Sequence, residues 1–274
     1  DGGKHSGKNA TVCVAEDSRE SLEKLLVTMI PGATRVQEVS NVLWGMAKLK
    51  WMPRPLLVEQ VDTFILEHKS ELNPLSVSNL LWSEATLGTG LRSETQAILL
   101  EEVERCATSL SPQMIGNCLW AITSLDSKIV TEKLIETLGS RLVFVLDRLD
   151  SKEFASVMVA YGRLSLAPPV EQAFLEDTGK RHLQQGETQE VCNIAWGFAR
   201  MNRNGVLVPT KGMVEDLCVA VQSRISNGTL HRRALGSLLW TFATLQSEES
   251  SNIVGMLEDH IPECARKFNA KEVT

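Results

Sequence analysis

The sequence predicts an all-α fold, an α-solenoid of about six two-helix repeats of about 38 residues with a capping helix at either end. The first observation behind this is a phrase written six times: VSNVLWGMAKL from Val39, VSNLLWSEATL from Val77, IGNCLWAITSL from Ile115, FASVMVAYGRL from Phe154, VCNIAWGFARM from Val191 and LGSLLWTFATL from Leu235. Aligned on its tryptophan, the anchors are Trp44, Trp82, Trp120, Val159, Trp196 and Trp240, separated by 38, 38, 39, 37 and 44 residues. Self-similarity at such a period marks a stacked array in which each unit packs on its neighbours. The second is periodicity, since apolar residues recur at steps of three and four and strand formers are not arranged in alternating runs. The third is the aromatic set, six Trp against one Tyr. Five of those Trp stand at the anchor, so the excess belongs to the architecture.

Each element follows from local signals. Ser18–Ile30 reads as a leading helix, stopped by Pro31 and Gly32. The repeated phrase forms the second helix of each repeat, helix B, near residues 35–50, 74–88, 112–126, 151–165, 188–202 and 231–246. Asn73 before Pro74 and Ser111 before Pro112 place a capping side chain ahead of a proline at the first helical position, and Ser151 and Thr188 are the capping candidates for two further copies. Between B helices lie amphipathic stretches, helices A, such as those from Arg54, Ser93 and Val130, whose charged faces mark them as the outer layer. A trailing helix from Ser251 is expected to bend at Pro262. Residues 1–17 form a polar tail, 18–270 one repeat domain and 271–274 the C-terminal end.

Helix B is apolar or small on nearly every side, as expected of a covered helix. Small residues stand one and three places after the anchor, for example Gly45 and Ala47, Ser83 and Ala85, Gly197 and Ala199. They let neighbouring helices approach, and the anchor Trp is expected to fill the groove between them. On that expectation, truncating one to Ala costs about 3 to 5 kcal/mol.

Composition narrows the function. A formal charge of −6 weighs against bulk attraction to nucleic acid, though not against a local basic surface. The six cysteines show no C-x-x-C spacing, and Cys118 and Cys192 fall inside helix B, which reads as buried thiols in a reducing compartment rather than secretion. No apolar run is long enough for a transmembrane segment. Gly2, Gly7 and Lys8 meet the spacing of a phosphate loop, but Asn9 stands where Ser or Thr must bind magnesium and no strand precedes it. The five histidines are isolated, which predicts solvated or capping roles, no metal and no cofactor. No nucleophile stands with a base, so the chain reads as a non-enzyme with no small-molecule substrate.

One surface rises above architecture. Positions seven and three before the anchor, then one and four after it, share a face within about 40° at ~100° per residue. They carry Gln37, Asn41, Gly45 and Lys48; Leu75, Asn79, Ser83 and Thr86; Gln113, Asn117, Ala121 and Ser124; Lys152, Ser156, Ala160 and Arg163; Gln189, Asn193, Gly197 and Arg200; Arg233, Ser237, Thr241 and Thr244. Five of these 24 residues are basic and none is acidic, in a chain that is acidic overall. Amides and hydroxyls offer donors and acceptors to base edges, while Lys and Arg take phosphates. The Asn positions read equally as a ladder bonded to neighbouring repeats. Glu38, Glu153 and Glu190 flank the stripe one residue along.

The phrase NVLWGMAKL, with Asn three before Trp, a Gln or Pro entry and a period near 38, resembles the octotricopeptide repeat, LSPQMIGNCLWAITSLDS from Leu110 most closely. Similar repeats precede the RAP domain in organellar RNA proteins of algae and apicomplexans. The resemblance covers about residues 18–270. It implies paired-helix repeats, residence in a mitochondrion or plastid after removal of a targeting segment, and binding of organellar RNA for its maturation, stability or translation. On that basis Gln37, Asn41, Lys48, Asn79, Thr86, Gln113, Asn117, Lys152, Arg163, Gln189, Asn193, Arg200 and Arg233 are the candidate RNA contacts. The resemblance equally permits a protein-binding scaffold, a subunit of an organellar ribosome or membrane complex.

Overall fold

The computed structural model describes residues 16–125 and 129–265. The tail with its Gly2–Lys8 stretch, Asp126 at the end of the third B interval, the Cys13 and Cys264 thiols, and residues 271–274 lie outside that description. Among the described residues there are thirteen α-helices and no strand: α1 (Glu16–Met29), α2 (Val36–Lys48), α3 (Pro55–Glu67), α4 (Pro74–Leu87), α5 (Ser93–Cys106), α6 (Pro112–Ile122), α7 (Glu132–Val145), α8 (Ser151–Leu164), α9 (Gln172–Gln185), α10 (Thr188–Arg203), α11 (Lys211–Ser226), α12 (Arg232–Leu245) and α13 (Glu248–Ala265). The even-numbered helices α2 to α12 carry the repeated phrase. The chain divides between Cys106 and Ala107 into two compact units.

In the first unit B helix α2 packs along α4, while A helix α1 packs on α3 and α3 on α5. In the second, α6, α8, α10 and α12 follow one another in the B layer and α9, α11 and α13 in the A layer. The core between layers comes from helix B positions five and two before the anchor and two after it. Val77, Ile115, Phe154 and Val191 supply the first of these, Leu80, Cys118, Val157 and Ile194 the second, and Tyr161, Phe198 and Phe242 the third, all buried. Cys106, Cys118, Cys192 and Cys218 are buried and in no disulfide. Burial pushes the Cys192 thiol up to about 12, with the Arg224 charge opposing it, and the Cys218 thiol up to about 11.

Local chemistry sets the helix starts. Asn73 Oδ1 accepts from the Ser76 amide at 3.0 Å while Ser76 Oγ accepts from the Asn73 amide, a reciprocal capping box, and Ser111 Oγ accepts from the Met114 amide. Ser151 and Thr188 do not cap their helices. Asp150 caps α8 through the Glu153 amide, and Glu187 precedes α10 without a side-chain cap. The Ser151 hydroxyl instead lies 3.1 Å from His182 Nδ1, and Thr188 Oγ1 donates to the Thr229 carbonyl. His182 is accordingly a core residue, 2% exposed and stacked on Phe154 with ring centroids 4.8 Å apart, unlike the solvated or capping histidine the sequence predicts.

Two contacts recur between successive A helices. An arginine near the end of one A helix donates to a carbonyl in the A–B turn before it: Arg105 to Leu72 at 3.2 Å, Arg141 to Leu110, Arg181 to Asp147 at 3.2 Å, and Arg224 to both Leu183 and Gly186. A carboxylate of an A helix accepts from the backbone amide at the start of the following one. Glu23 takes Arg54, Asp62 takes Arg92 at 3.2 Å through both oxygens, and Glu176 takes Thr210 at 2.9 Å. Each such carboxylate satisfies an amide for which a helix start has no internal partner. Glu84, 4% exposed, does similar work inside one turn, accepting from the Thr89 hydroxyl, the Gly90 and Leu91 amides and the Gln96 side chain. That turn needs Gly88 and Gly90, whose φ angles are 63° and 78°.

Candidate nucleic-acid interface

Helix B leaves one side uncovered by its neighbours, and the stripe residues divide on it by position. The residue one after the anchor is buried at Ser83, Ala121, Ala160, Gly197 and Thr241, and half-buried only at Gly45. A methyl group on Gly197 would stand 2.7 Å from the Met158 carbonyl oxygen, so α10 meets the α8 backbone there. The positions seven before and four after the anchor face outward: Gln113, Lys152, Gln189 and Arg233, with Lys48 and Arg163, are exposed, while Gln37, Thr86, Arg200 and Thr244 are half-buried. Asn positions lie between, with Asn41 exposed, Asn117 and Asn193 half-buried, and Asn79 8% exposed.

The hydrogen bonds give the Asn positions a local role. Gln37 Nε2 donates to Asn41 Oδ1 at 2.8 Å, and Gln189 Nε2 to Asn193 Oδ1 at 3.0 Å, so two repeats pair these amides one turn apart on a single helix. Neither is a bond to a neighbouring repeat. The hydroxyls of Thr86, Ser156, Thr241 and Thr244 donate to the carbonyl four residues earlier.

The cations vary in their engagement. Arg163 Nη1 lies 3.3 Å from Thr123 Oγ1 of the preceding B helix. Arg200 packs its aliphatic stem against Gly162, and its buried Nε has no hydrogen-bond partner among the described residues. Two of the flanking acids are committed elsewhere: Glu38 to Arg35 and Glu153 to the Asp150 amide in the cap of α8. Burial holds the Glu153 carboxyl above its ordinary range against that hydrogen bond.

The tryptophans differ from the sequence expectation of enclosed core groups. Trp44, Trp82, Trp120, Trp196 and Trp240 are each half-buried, as is Val159. Their position on the helix explains it, for the anchor lies within about 40° of the outward positions seven before and four after it. Lys48 Nζ stands 5.2 Å from the Trp44 ring centroid and 5.0 Å from that of Trp82. The Trp196 and Trp240 rings lie 6.1 Å apart at 32°, with the Arg203 guanidinium 5.9 Å from Trp240. No periodicity in the sequence marks the ring faces as open, because helix B is apolar or small all round.

Among the described residues no His, Cys, Asp and Glu side chains gather as a metal site, and no helix is long and apolar enough to cross a membrane. No curated protein matches the chain. A family model does: residues 1–203 fit the one described as Tbc2 translation factor, N-terminal domain, a span that runs through the fifth B helix and leaves α11 to α13, with Arg233, beyond it. Since that match takes in about three quarters of the length, the helical-repeat chain with this polar and aromatic B face belongs to the Tbc2 translation factor N-terminal domain family.

Proposed function

We propose that the chain is the RNA-gripping repeat region of a plastid translation factor, holding single-stranded RNA on its B helices and catalysing no reaction. Tbc2 is a chloroplast translation factor of the octotricopeptide-repeat type, which supports both the compartment and the process. The observation that carries the reading is the outward B face. Its positions present amides, hydroxyls and five cations with no carboxylate among them, while the flanking Glu38 and Glu153 are occupied in other contacts. Phosphates would meet Lys48, Lys152, Arg163, Arg200 and Arg233, and base edges would meet Gln37, Asn41, Thr86, Gln113, Asn117, Gln189 and Asn193, whereas Asn79 is buried and out of reach of a bound strand.

Fluorescence anisotropy with a labelled single-stranded RNA of mixed sequence, repeated across salt concentrations, tests this. Lys48→Glu, Arg163→Glu, Arg200→Glu and Arg233→Glu are each expected to weaken binding and to lower the salt slope, by about one per lost phosphate contact. Affinity indifferent to all four reversals overturns the assignment of the face. Absence of RNA binding at physiological salt returns the chain to the scaffold reading, as a subunit of a large organellar assembly.

A further inference from the structure

We infer that the repeat tryptophans are base-stacking platforms, Trp44 and Trp82 in the first unit and Trp120, Trp196 and Trp240 in the second, each holding a nucleobase of a bound single strand against an indole. This rests on the RNA reading above and names the groups that give it grip beyond charge.

Three observations converge on it. First, the indoles are half-buried on the same side of helix B as the outward polar residues, whereas the position one after the anchor is buried in every repeat but the one with Gly45. An indole needed only as filler would exchange these roles with its small neighbour. Second, the ring faces admit polar groups from the outside. The exposed Lys48 lies over the rings of both Trp44 and Trp82, and the exposed Arg203 lies over Trp240. An exposed cation over a ring is a weak contact, and a base stacked on the same face is a stronger one. A base arriving between Trp44 and Trp82 would move Lys48 aside toward a phosphate of the same strand, so the two interactions are compatible in sequence. Third, the Trp196 ring is fixed at its other edge: a methyl group on Gly162 would lie 3.1 Å from Trp196 Cζ3, which leaves that indole little freedom to turn away. A rigid ring beside a row of cations is the arrangement by which proteins hold single strands without reading their sequence. Val159 breaks the row in the fourth repeat and offers no π face.

Intrinsic tryptophan emission reads the contact directly. The purified chain is titrated with a 12-nucleotide single-stranded RNA and, separately, with an abasic sugar–phosphate 12-mer of equal charge. The RNA is expected to quench the emission and the abasic strand to leave it unchanged while binding more weakly. Trp82→Leu should weaken RNA binding about tenfold or more, Trp82→Phe should retain most of it, and Val159→Trp, which extends the platform, should tighten it several-fold. Circular dichroism melts of each variant separate lost stacking from lost fold, and Val159→Trp with the wild-type quench tests the platform should Trp82→Leu fail to fold. If RNA binds and responds to the charge reversals, yet emission is unmoved or abasic and natural strands bind alike, the platform is wrong and the polar stripe alone stands. If neither strand binds, the RNA reading fails with it.

Discussion

The Arg141 guanidinium donates twice to the main-chain carbonyl of Leu110, through Nε at 2.9 Å and Nη2 at 2.8 Å, joining positions 31 residues apart. Leu110 is buried in the turn ahead of α6. Arg141→Met keeps the aliphatic stem and removes both donors, leaving that carbonyl to find replacements. A charged donor is worth about 1.5 to 3 kcal/mol to a hydrogen bond, so urea denaturation should show a loss of about 2 kcal/mol. A midpoint unchanged within error would mean that the contact contributes nothing.

Gly45 and Gly197 occupy the same place in their repeats and should respond oppositely to alanine. A Cβ on Gly45 meets nothing within 4 Å, while one on Gly197 stands 2.7 Å from the Met158 carbonyl oxygen and 2.8 Å from its carbon. Backbone cannot yield as a side chain does. Gly45→Ala should therefore stabilise by up to about 1 kcal/mol through helix propensity, and Gly197→Ala should destabilise by about 1 to 3 kcal/mol through overpacking. Thermal melts of the two variants decide it, and equal shifts would contradict the packing of α10 on α8.

His182 should make the fold sensitive to acid. Burial lowers its pKa to about 4, the Arg181 charge adding to the effect and Asp150 opposing it. The unfolded chain takes up a proton below about 6.5 while the folded ring stays neutral. Between pH 6.5 and 4 the unfolded state thus binds more protons, and stability falls as pH falls through that window, by on the order of 3 kcal/mol in total from this group. His182→Gln removes the titration and should flatten the stability profile in that range relative to wild type. An identical pH dependence in the two proteins would exclude the effect.

The buried thiols should be inert in the native state. With its pKa raised to about 12, Cys192 holds almost no thiolate at pH 8, and burial closes the approach as well. Iodoacetamide labelling followed by peptide mass mapping should mark Cys192 and Cys218 only after denaturation. Labelling of Cys192 faster than global unfolding would show that α10 opens locally.

How far the letters reach can be judged from single residues. The B helices are legible because the phrase around Trp44 recurs with its neighbours in register, and the caps at Asn73 and Ser111 because they are local, side chain to amide within three residues. Ser151 misleads for the same local reason: Asp150 stands one place earlier and takes the cap, while the Ser151 hydroxyl goes to His182, 31 residues on. The arginine contacts cannot be read at all from the acceptor side, since Leu72, Leu110, Asp147 and Gly186 share only a carbonyl. The half-burial of the tryptophans is hidden too. The polar stripe marks one face of helix B, but the Trp stands at its margin beside apolar residues, and the packing of α10 over Gly162 and Met158 shows on which side of that margin its neighbours lie.

The paired A-helix contacts carry a consequence for growth. Four A helices bring an arginine that reaches backward to a carbonyl at the end of the A helix before, and three bring a carboxylate that seats the start of the following A helix. A joint whose two halves are both carried by one part is unpolarised as to copy number: a duplicated unit finds its socket ready and offers the same socket onward. Lengthening such a chain therefore calls for copying alone, and divergence of the outward residues can follow afterwards, one unit at a time.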